Sequence, residues 1–571
     1  MTAEDEDDPF GALAPVDPAP ALPADAEAIV AACAALPLND VGNGQRFVAH
    51  FGADCLWVPR VGWYVWDGMR WKADPDALQV RNLAHRMGAL IAAEVRHLPI
   101  GGGLPPDRDE IALILGLPKA ERSPDQRVWA DAASARYRQA RAIGNSGPIT
   151  NMLAEASILL RCDLEALDAD PLAINCLSGV LRFDVEGGPG TGFSRTASVT
   201  LGPHDRALRI TKLMPVHWAG HAAPAPRWTA FLARVQPDSR MRAFLQRWCG
   251  LGLTALSGEQ KLVFHYGGGA NGKSVFAEAI ARIMGDYAAK AKIESLTGKG
   301  RRGGGDATPD LVPLIGARAV RASEPDQGTQ LQEGLIKELT GGEPILVRAL
   351  HTNFVEVTPF FKLSLVGNHK PEVRGADDGI WRRLLLVPWD VQIPPDERDR
   401  GLIGTLAAEG DGIFAWAVEG LIAYLEGGLD EPETVIEATR EYREDSDPVG
   451  SFLVQACLVT GEAADVLPAR ELVEAFNFWM ADRGESEWRA RTIQLRLKEK
   501  AGRWKSAETG RSFAAGLRQG RSTYTGVRFN DLFGRAFRSA PRDAHGRIIG
   551  RAGGWDQPGT TQGGAGDDAL V

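Results

Sequence analysis

The sequence predicts an α/β protein in which a three-layer core is flanked by a mainly helical, α+β N-terminal region and by a compact C-terminal unit. Between about residues 255 and 395, short apolar strands alternate with helical stretches, which is typical of a sheet covered by helices. A glycine-rich loop separates one of these strands from the helix that follows it. The 571 residues are too many for a single hydrophobic core, so we expect about three folding units.

The composition is that of an ordinary globular protein, with 44% apolar and 24% charged residues. No run of about 18 uncharged apolar residues occurs, so we expect no membrane span and no membrane partner. The acidic N-terminus has no apolar segment behind it, unlike a secretory signal. The six cysteines are scattered without a Cys-x-x-Cys pair, which argues against a zinc site or disulfides and favours a cytoplasmic location.

The two ends of the chain are expected to be unstructured. Residues 1–38 combine an acidic run with repeated Ala-Pro pairs, a composition that buries too little apolar surface to fold. Residues 531–571 are expected to form a second flexible tail, because their last part is rich in glycine and aspartate.

Residues 39–250 are predicted to form an accessory, collar-like region. At residues 62–71 an Asp-Gly pair separates two runs rich in aromatic residues, which is a strong signal for a hairpin. A second hairpin is predicted at residues 173–181, and amphipathic helices are predicted between about residues 226 and 253.

The glycine-rich loop lies between a predicted buried strand at residues 261–266 and a predicted helix at residues 275–284. It reads G-x-x-x-x-G-K-S, a pattern in which backbone N–H groups and the helix N-terminus surround phosphate oxygens. We expect Lys273 to reach the β- and γ-phosphates of ATP and Ser274 to ligate Mg²⁺. The predicted ATP-binding residues are Gly267, Gly268, Gly269, Ala270, Asn271, Gly272, Lys273 and Ser274.

Two further predicted strands end in candidates for hydrolysis. The strand at residues 317–323 is followed by Glu324, whose carboxylate would orient the attacking water or hold Mg²⁺. Asp326 is the next acidic residue, and which of the two acids serves the metal stays open. The strand at residues 362–367 is followed by Asn368, whose amide would sense the γ-phosphate or position the same water.

An arginine pair, Arg382 and Arg383, follows a polar turn. In ring-shaped ATPases such an arginine reaches into the active site of the neighbouring subunit and neutralises transition-state charge, with an effect of roughly 10³–10⁵-fold on the rate. The order of glycine loop, acid, amide and arginine is more specific than any single element. It indicates an ATP hydrolase.

The chain after the core has two predicted parts. Residues 396–447 would form a helical extension of the core, whereas residues 448–530 contain three helical stretches and a final strand pair that resemble a winged-helix DNA-binding module. From residue 483 to residue 528 twelve lysines and arginines face four acidic residues, in a chain of net charge −10. This excess fits a nucleic-acid contact surface, although a solvated basic face would have the same composition.

Taken together, these motifs resemble those of the superfamily 3 helicases, and within them the helicase portion of the phage, plasmid and poxvirus primase–helicase family. The resemblance covers roughly residues 40–530 and implies an AAA+-like core at residues 251–395. The residues carried over from the family's motifs are Lys273 and Ser274 for the first motif, Glu324 for the second, Asn368 for the third, and Arg383, or alternatively Arg382, for the trans-acting arginine.

The resemblance further implies a DNA-tracking hairpin between the second and third motifs. Residues 345–357 fit this hairpin, because they independently suggest two strands around a polar turn. Arg348 and His351 are candidates for contacts with DNA phosphates, and Lys337 is a third candidate. The implied assembly is a homo-hexameric ring that uses ATP and Mg²⁺ to move along one strand of single-stranded or forked DNA.

Two departures from the family's pattern keep other functions open. Ser323 stands where many such motors have the first of two adjacent acids, and the first 250 residues carry no convincing paired-aspartate motif for nucleotidyl transfer. A primase or a loader would therefore be a separate polypeptide. The alternatives are an ATP-switched DNA-binding initiator or defence component without unwinding activity, and a P-loop kinase for small molecules. Strand displacement on a forked duplex excludes the first, and DNA-stimulated ATP hydrolysis excludes the second.

Overall fold

The computed structural model describes residues 24–188, 194–298, 307–325, 328–348, 354–373, 378–544 and 548. Its N-terminal region places helices around a small antiparallel sheet with the strand order β1-β2-β3. The elements are α1 (Ala24–Cys33), α2 (Asp40–Phe51), β1 (Cys55–Val58), β2 (Gly62–Trp66), β3 (Trp71–Asp74), α3 (Leu78–Ala84), α4 (Met87–Ala93), α5 (Arg108–Gly116), α6 (Pro124–Ala142) and α7 (Ser146–Leu159). The β2–β3 pair is the hairpin predicted at residues 62–71, and its Trp63 and Trp71 are buried in the core.

Helix α1 corrects the predicted N-terminal boundary, because residues 24–38 had been placed in the disordered tail of residues 1–38. Val30 and Cys33 of this helix are buried. Glu27 accepts hydrogen bonds from Arg96 at 2.8 Å and from His97 at 2.7 Å, so the helix is held against the region that follows. Alanine is a good helix former once prolines are absent. The rest of that prediction, residues 1–23, lies outside the described residues.

A second antiparallel sheet, with the strand order β4-β5-β6, links the N-terminal region to the core. Its elements and the helices after it are β4 (Ile174–Cys176), β5 (Gly179–Glu186), β6 (Thr196–Gly202), α8 (Pro226–Val235) and α9 (Ser239–Gly252). The hairpin predicted at residues 173–181 and the helices predicted between about 226 and 253 are therefore confirmed.

Buried polar side chains fix this second sheet to the core. The guanidinium of Arg318, only 2% exposed, donates to the backbone oxygens of Ala173 at 2.8 Å and of Leu253 at 2.7 Å. The backbone N–H of Asn175 donates to the hydroxyl of Tyr287 at 3.2 Å. Buried hydrogen bonds of this kind are costly to leave unmade. The sheet and the core therefore belong to one packed body.

The core is a parallel sheet of five strands in the order β13-β7-β12-β9-β8. Its elements are β7 (Leu262–Tyr266), α10 (Lys273–Met284), β8 (Ala288–Lys290), α11 (Ile293–Leu296), β9 (Ala319–Ser323), α12 (Glu333–Gly341), β10 (Ile345–Val347), β11 (Val355–Val357), β12 (Lys362–Gly367), α13 (Asp378–Trp381) and β13 (Leu384–Pro388). Successive residues of β7 face two different hydrophobic clusters, since Val263 packs with Phe276 on one face and Phe264 packs on the other. The predicted three-layer α/β core is confirmed.

Strands β10 and β11 pair antiparallel outside the main sheet, with Ile345 opposite Val357. The two strands of the hairpin predicted at residues 345–357 are thus confirmed. Residues 349–353, which include the predicted DNA contact His351, lie outside the described part of the chain.

The predicted helical extension consists of α14 (Leu402–Ala408), α15 (Gly410–Gly427) and α16 (Glu433–Asp445). Helix α15 packs directly against α9, at a distance that only glycine permits. A Cβ on Gly250 would lie 2.1 Å from the backbone N of Leu421, and one on Gly420 would lie 2.0 Å from the backbone O of Gln246. No helix in the described part of the chain is long and apolar enough to cross a membrane.

The C-terminal unit contains the three predicted helices and more strands than predicted. Its elements are α17 (Pro448–Gln455), β14 (Cys457–Val459), β15 (Val466–Pro468), α18 (Ala469–Asp482), α19 (Ala490–Lys500), β16 (Ala514–Arg518), β17 (Arg521–Thr525), β18 (Val527–Phe529) and α20 (Asp531–Ser539). They form the sheets β14-β18 and β15-β17-β16. The winged-helix identity of this unit stays a prediction.

Helix α20 corrects the predicted C-terminal boundary, because residues 531–539 had been placed in the flexible tail of residues 531–571. Phe533 and Phe537, one helical turn apart, are 0% and 2% exposed in the core of the C-terminal unit. The side chain of Asn530 caps the helix by accepting a hydrogen bond from the backbone N–H of Phe533 at 2.8 Å. The C-terminal unit therefore extends to about residue 540.

Candidate active site

The candidate site lies at the edge of the parallel sheet where the strands end. Strand β12 pairs with β7 on one side and with β9 on the other. The loop after β7 is the glycine-rich loop, Asn368 follows β12, and Glu324 follows β9. Because neighbouring parallel strands end at the same edge, residues from three distant stretches of sequence meet there.

The ammonium of Lys273 is the centre of this arrangement. It donates hydrogen bonds to the backbone O of Gly267 at 2.9 Å, to Oδ1 of Asn271 at 3.0 Å and to Oδ1 of Asn368 at 3.0 Å. Lys273 is only 4% exposed. Burial lowers the pKa of Lys273, and the negative charge of Glu324 opposes that change. The structure therefore brings the predicted Lys273, Asn368 and Glu324 together.

The glycine loop has the geometry of a phosphate-binding backbone. Gly269 and Gly272 have φ values of +95° and +84°, which glycine adopts without strain. The N-terminus of α10 has no side-chain cap, so its first N–H groups are left to another acceptor. Ser274 is exposed in the first turn of this helix. A buried ammonium, an uncapped helix N-terminus and an exposed serine hydroxyl fit a nucleotide phosphate chain with Mg²⁺.

Glu324 has a strained backbone. Its φ is +61°, in the left-handed region that non-glycine residues avoid, and its N–H donates to the backbone O of Val366 at 2.8 Å. Strain of this kind is found mainly at functional sites, where the surrounding structure imposes it. The side chain is exposed. Asp326, the other candidate acid, lies outside the described residues, so the division of roles between the two stays a prediction.

The arginine pair, in which Arg383 is the preferred prediction for the trans-acting role, shows two different environments. Arg383 is only 7% exposed, and its guanidinium donates to the backbone O of Gly379 at 2.8 Å and to Oε1 of Gln260 at 3.3 Å. Arg382, in contrast, is exposed. A side chain that is bonded inside its own chain does not reach outward, so Arg382 is the better placed of the two.

Both arginines lie far from the glycine loop of their own chain. They precede β13, and the backbone N–H of Leu262 at the start of β7 donates to the backbone O of Arg383 at 2.7 Å. The glycine loop begins at the other end of the five-residue strand β7, which corresponds to about 16 Å of sheet. The arginine pair therefore lies beside the N-terminal ends of the strands, whereas Lys273 lies beside their C-terminal ends.

Sequence reasoning gave no role to Trp389, which follows β13 and packs beside the glycine loop. The Trp389 side chain donates to Nδ1 of His265 at 3.1 Å, and its backbone O accepts a hydrogen bond from the Asn271 amide at 2.8 Å. Burial, with a smaller effect from the charge of Lys273, lowers the pKa of His265 to about 3. The only sequence signal for this packing is the apolar run that precedes the tryptophan.

The candidate DNA contacts do not lie on one element. Arg348 is at the end of β10, where its backbone N–H donates to Oγ1 of Thr308 at 3.0 Å and its guanidinium stacks over the ring of Phe354 at 4.6 Å. Lys337 is half-buried on α12. The two residues lie on different elements, and their contacts with DNA stay predictions.

The basic excess of the C-terminal unit is mostly exposed. Arg491 and Lys498 lie seven residues apart on α19, which places them on the same face of this helix. Arg518 and Arg521 flank the turn between β16 and β17, and β16 is exposed along its whole length. Lys500 is different, because it is buried against Asp447 at 2.5 Å.

Comparison with known protein families gives a match in the accessory region. Residues 44–237 match the family model described as D5 N terminal like. This span includes both antiparallel sheets and ends just after α8, before the core begins.

Two viral proteins are similar to parts of this chain. One is a putative helicase of Acanthamoeba polyphaga mimivirus, 30% identical over 246 residues, which cover 39% of this chain and 26% of that protein. The other is a putative helicase of Frog virus 3 (isolate Goorha), 29% identical over 213 residues, which cover 36% of this chain and 20% of that protein. The chain thus spans about a quarter of the length of the curated relatives it matches.

Among solved structures, two apo structures of the NrS-1 C-terminal region match over 61% of this chain and 96% of their own. Their sequence identities are 10% and 9%, with TM-scores of 0.32 and 0.34. A likeness at this level carries no argument about function.

Proposed function

Because this chain has a D5 N terminal like region and is similar to putative helicases of large DNA viruses, as its motifs predicted, we propose that it is an ATP-dependent DNA helicase of a phage- or plasmid-type replication system. One observation carries the proposal: the hydrogen bond between Lys273 and Asn368. It joins the first motif, which follows β7, to the third motif, which follows β12, at a single ammonium. That convergence is what a site for phosphoryl transfer requires.

In the proposed site the triphosphate lies along the backbone N–H groups of the glycine loop. The Lys273 ammonium, already surrounded by three acceptors, contacts the β- and γ-phosphates. Ser274, exposed in the first turn of α10, would hold Mg²⁺, which neutralises charge on the phosphate oxygens.

Asn368 and Glu324 would act on the attacking water. When a phosphate oxygen takes a hydrogen bond from Lys273, the Asn368 amide is released to orient that water. The carboxylate of Glu324, held beside Lys273, accepts the water proton. Both roles depend on the positions of Asn368 and Glu324 directly after β12 and β9.

A second subunit would complete the site. Arg382 is exposed at the far edge of the sheet, so it faces away from its own glycine loop. An outward arginine at this place fits a ring in which each subunit supplies the guanidinium for its neighbour's site. The family resemblance gives six as the number of subunits.

The remaining parts would handle DNA. The β10–β11 hairpin would track the backbone of one strand in the channel, with Arg348 near its turn. Contacts with the backbone alone make such tracking independent of sequence and sensitive to salt. Residues 39–250 would form a collar, and the basic C-terminal unit would bind DNA. A primase or loader would be a separate partner.

The decisive test replaces Lys273 by alanine in the full chain. We expect Lys273→Ala to lower single-strand-stimulated ATP hydrolysis at least 100-fold and to abolish strand displacement on a forked duplex, because the phosphates lose the buried ammonium of Lys273. Lys290→Ala, which removes an exposed lysine from β8, is the matched control and should match the wild type. Wild-type protein that hydrolyses ATP but leaves the fork paired would instead be an ATP-switched initiator.

A further inference from the structure

Asn271 lies in the glycine loop, yet its side chain points into the protein and is 3% exposed. Its Nδ2 donates to the backbone O of Trp389 at 2.8 Å, and its Oδ1 accepts from the ammonium of Lys273 at 3.0 Å. A carbonyl can only accept a hydrogen bond and an ammonium can only donate one. The orientation of the amide is therefore fixed by the chemistry of its two partners.

Only a short amide serves both partners. A carboxylate at position 271 would keep an acceptor for Lys273 but would turn a second acceptor toward the Trp389 carbonyl. An aliphatic side chain would satisfy neither. The amide is closely packed against Gly267, where a Cβ would lie 2.3 Å from Nδ2 of Asn271 and 2.4 Å from the Trp389 oxygen, so a longer amide would have to displace these atoms.

The Trp389 carbonyl that accepts the hydrogen bond from Asn271 is itself held in place. Trp389 is 1% exposed, and its backbone N–H donates to the backbone O of Tyr266 at 2.7 Å. Its ring packs against Phe276 of α10 with the centroids 5.4 Å apart. Four residues further on, the N–H of Ile393 donates to the backbone O of Ala270 at 2.7 Å. The glycine loop is thus attached to the segment after β13 at two places.

We propose that Asn271 is a positioning residue, which holds the Lys273 ammonium in place for the γ-phosphate and anchors it to the end of β13. This inference rests on the proposed ATP hydrolysis and deepens it. The ammonium has three protons and three acceptors, so a phosphate oxygen must replace one of them. Asn368 is half-exposed and belongs to another strand, so it is the acceptor that leaves. Asn271 stays and keeps the ammonium aligned.

The test compares Asn271→Asp with Asn271→Leu in the full chain, by measuring kcat and KM for ATP with single-stranded DNA present. The aspartate keeps the contact with Lys273 but places a negative charge beside the phosphates, so we expect KM to rise at least tenfold with kcat within about threefold of the wild type. The leucine loses the contact, so we expect kcat to fall at least tenfold with a smaller change in KM.

A merely structural role of Asn271 predicts a different result. If Asn271 only fastened the loop to Trp389, both variants would lose that bond, and kcat would fall equally in both. That outcome, or wild-type kinetics in both, overturns the inference. Asn271→Ala, which removes the contact without adding bulk, replaces the leucine variant if that variant does not fold, and the same loss of kcat is expected. Wild-type protein without ATPase activity would refute the proposed function itself, which separates the two failures.

Discussion

Two non-glycine residues of the candidate site, Ala270 and Glu324, have left-handed φ values of +50° and +61°. Strain of roughly 1 kcal/mol or more per residue persists only where the neighbouring structure fixes the backbone. At Glu324 the neighbouring structure is β12, through the hydrogen bond to Val366. The fold thus expends stability to place one carboxylate at the end of β9.

This placement leads to a prediction for Glu324→Gln. We expect kcat for ATP to fall at least 100-fold, because an amide does not accept the water proton, whereas the Kd for ATP should stay within about threefold. Steady-state kinetics and equilibrium nucleotide binding measure the two effects. Glu294→Gln, at an exposed acid of the same core, is the control. Full activity in Glu324→Gln would assign the role to Asp326.

His265 gives a pH-dependent contribution to stability. Its folded pKa of about 3 lies below the ordinary value of 6.5, so the unfolded chain binds a proton that the folded chain does not. The contribution is complete above pH 6.5 and is lost as the pH falls toward 3. Urea unfolding at pH 7.5 and 5.5 should show that the wild type loses about 1.4 kcal/mol more than His265→Asn, which keeps an acceptor for Trp389. An equal loss of unfolding free energy in the wild type and in His265→Asn would contradict the lowered pKa of His265.

For single residues, the sequence predicted which residues form the site better than it predicted how deeply each side chain is buried. Lys273, Asn368 and Glu324 were predicted correctly to meet, because strand ends and motif spacing locate them. The sequence preferred Arg383 to Arg382 as the trans-acting arginine, but it gave no measure of burial, which is the property in which the two adjacent arginines differ. Burial depends on tertiary packing, which no local pattern encodes.

Helix α16 illustrates how one element holds several parts of the site. The hydroxyl of its Tyr442 donates to the backbone O of Pro371, which lies three residues after Asn368. Lys370 lies between the rings of Tyr266 and Tyr442, at 5.2 and 5.3 Å from their centroids. Helix α16 therefore supports the segment that follows Asn368.

We predict that Tyr442→Phe lowers the free energy of unfolding by about 1–3 kcal/mol, because the ring stays while the buried Pro371 carbonyl loses its partner. Urea denaturation measures the change. The control is Tyr424→Phe, whose hydroxyl bonds the side chain of Glu259 at 3.0 Å and not a backbone carbonyl. A loss for Tyr442→Phe that does not exceed the control would contradict the supporting role of the hydroxyl.

The exposed face of α19 allows the most specific prediction about DNA binding. We expect the double variant Arg491→Glu, Lys498→Glu to weaken DNA binding at least tenfold and to reduce the salt slope of log Kd by about 2, because two phosphate contacts are lost. Fluorescence anisotropy at several salt concentrations measures both. Arg470→Glu, an exposed arginine on α18, is the control. Unchanged binding would leave the basic excess a solvated face.

Elements beside a recognisable turn or motif were predicted, even short ones such as β10 and β11, whereas several others were missed. Strands β8, β14 and β15 have three residues each, too few for a periodic pattern to show. Helix α20 was missed because glycine and charge dominate the sequence after it, although its phenylalanines repeat every four residues. The glycine-rich composition of the residues that follow α20 therefore concealed the helix.

For the whole molecule, the central prediction concerns the sharing of sites between subunits. Lys273→Ala and Arg382→Ala should each be inactive alone, yet an equal mixture should recover activity, because about a quarter of randomly formed interfaces would combine an intact lysine with an intact arginine. ATP hydrolysis after mixing the purified variants measures this recovery. Arg383→Ala in place of Arg382→Ala is the comparison, and recovery only with Arg383→Ala would restore Arg383 as the trans-acting arginine.

The order of the parts along the chain was predictable, but their attachment was not. The alternation of strands and helices located the core, and the change in charge located the C-terminal unit. Nothing in the sequence indicated that Arg318 of the core would bond the accessory sheet at Ala173. Contacts between distant segments arise from the packed whole, and a single sequence carries no direct signal for them.

Strand β13 directly follows the arginine pair and is directly followed by Trp389, and it is paired with β7 over its full length. The arginine pair and the anchor of the glycine loop therefore lie at the two ends of one short, fully paired strand. In the proposed ring, the arrival of a nucleotide next door would displace the arginine end and, through Asn271, disturb the subunit's own lysine. In a ring that closes head to tail, such a connection would run from each subunit to the next in a single direction.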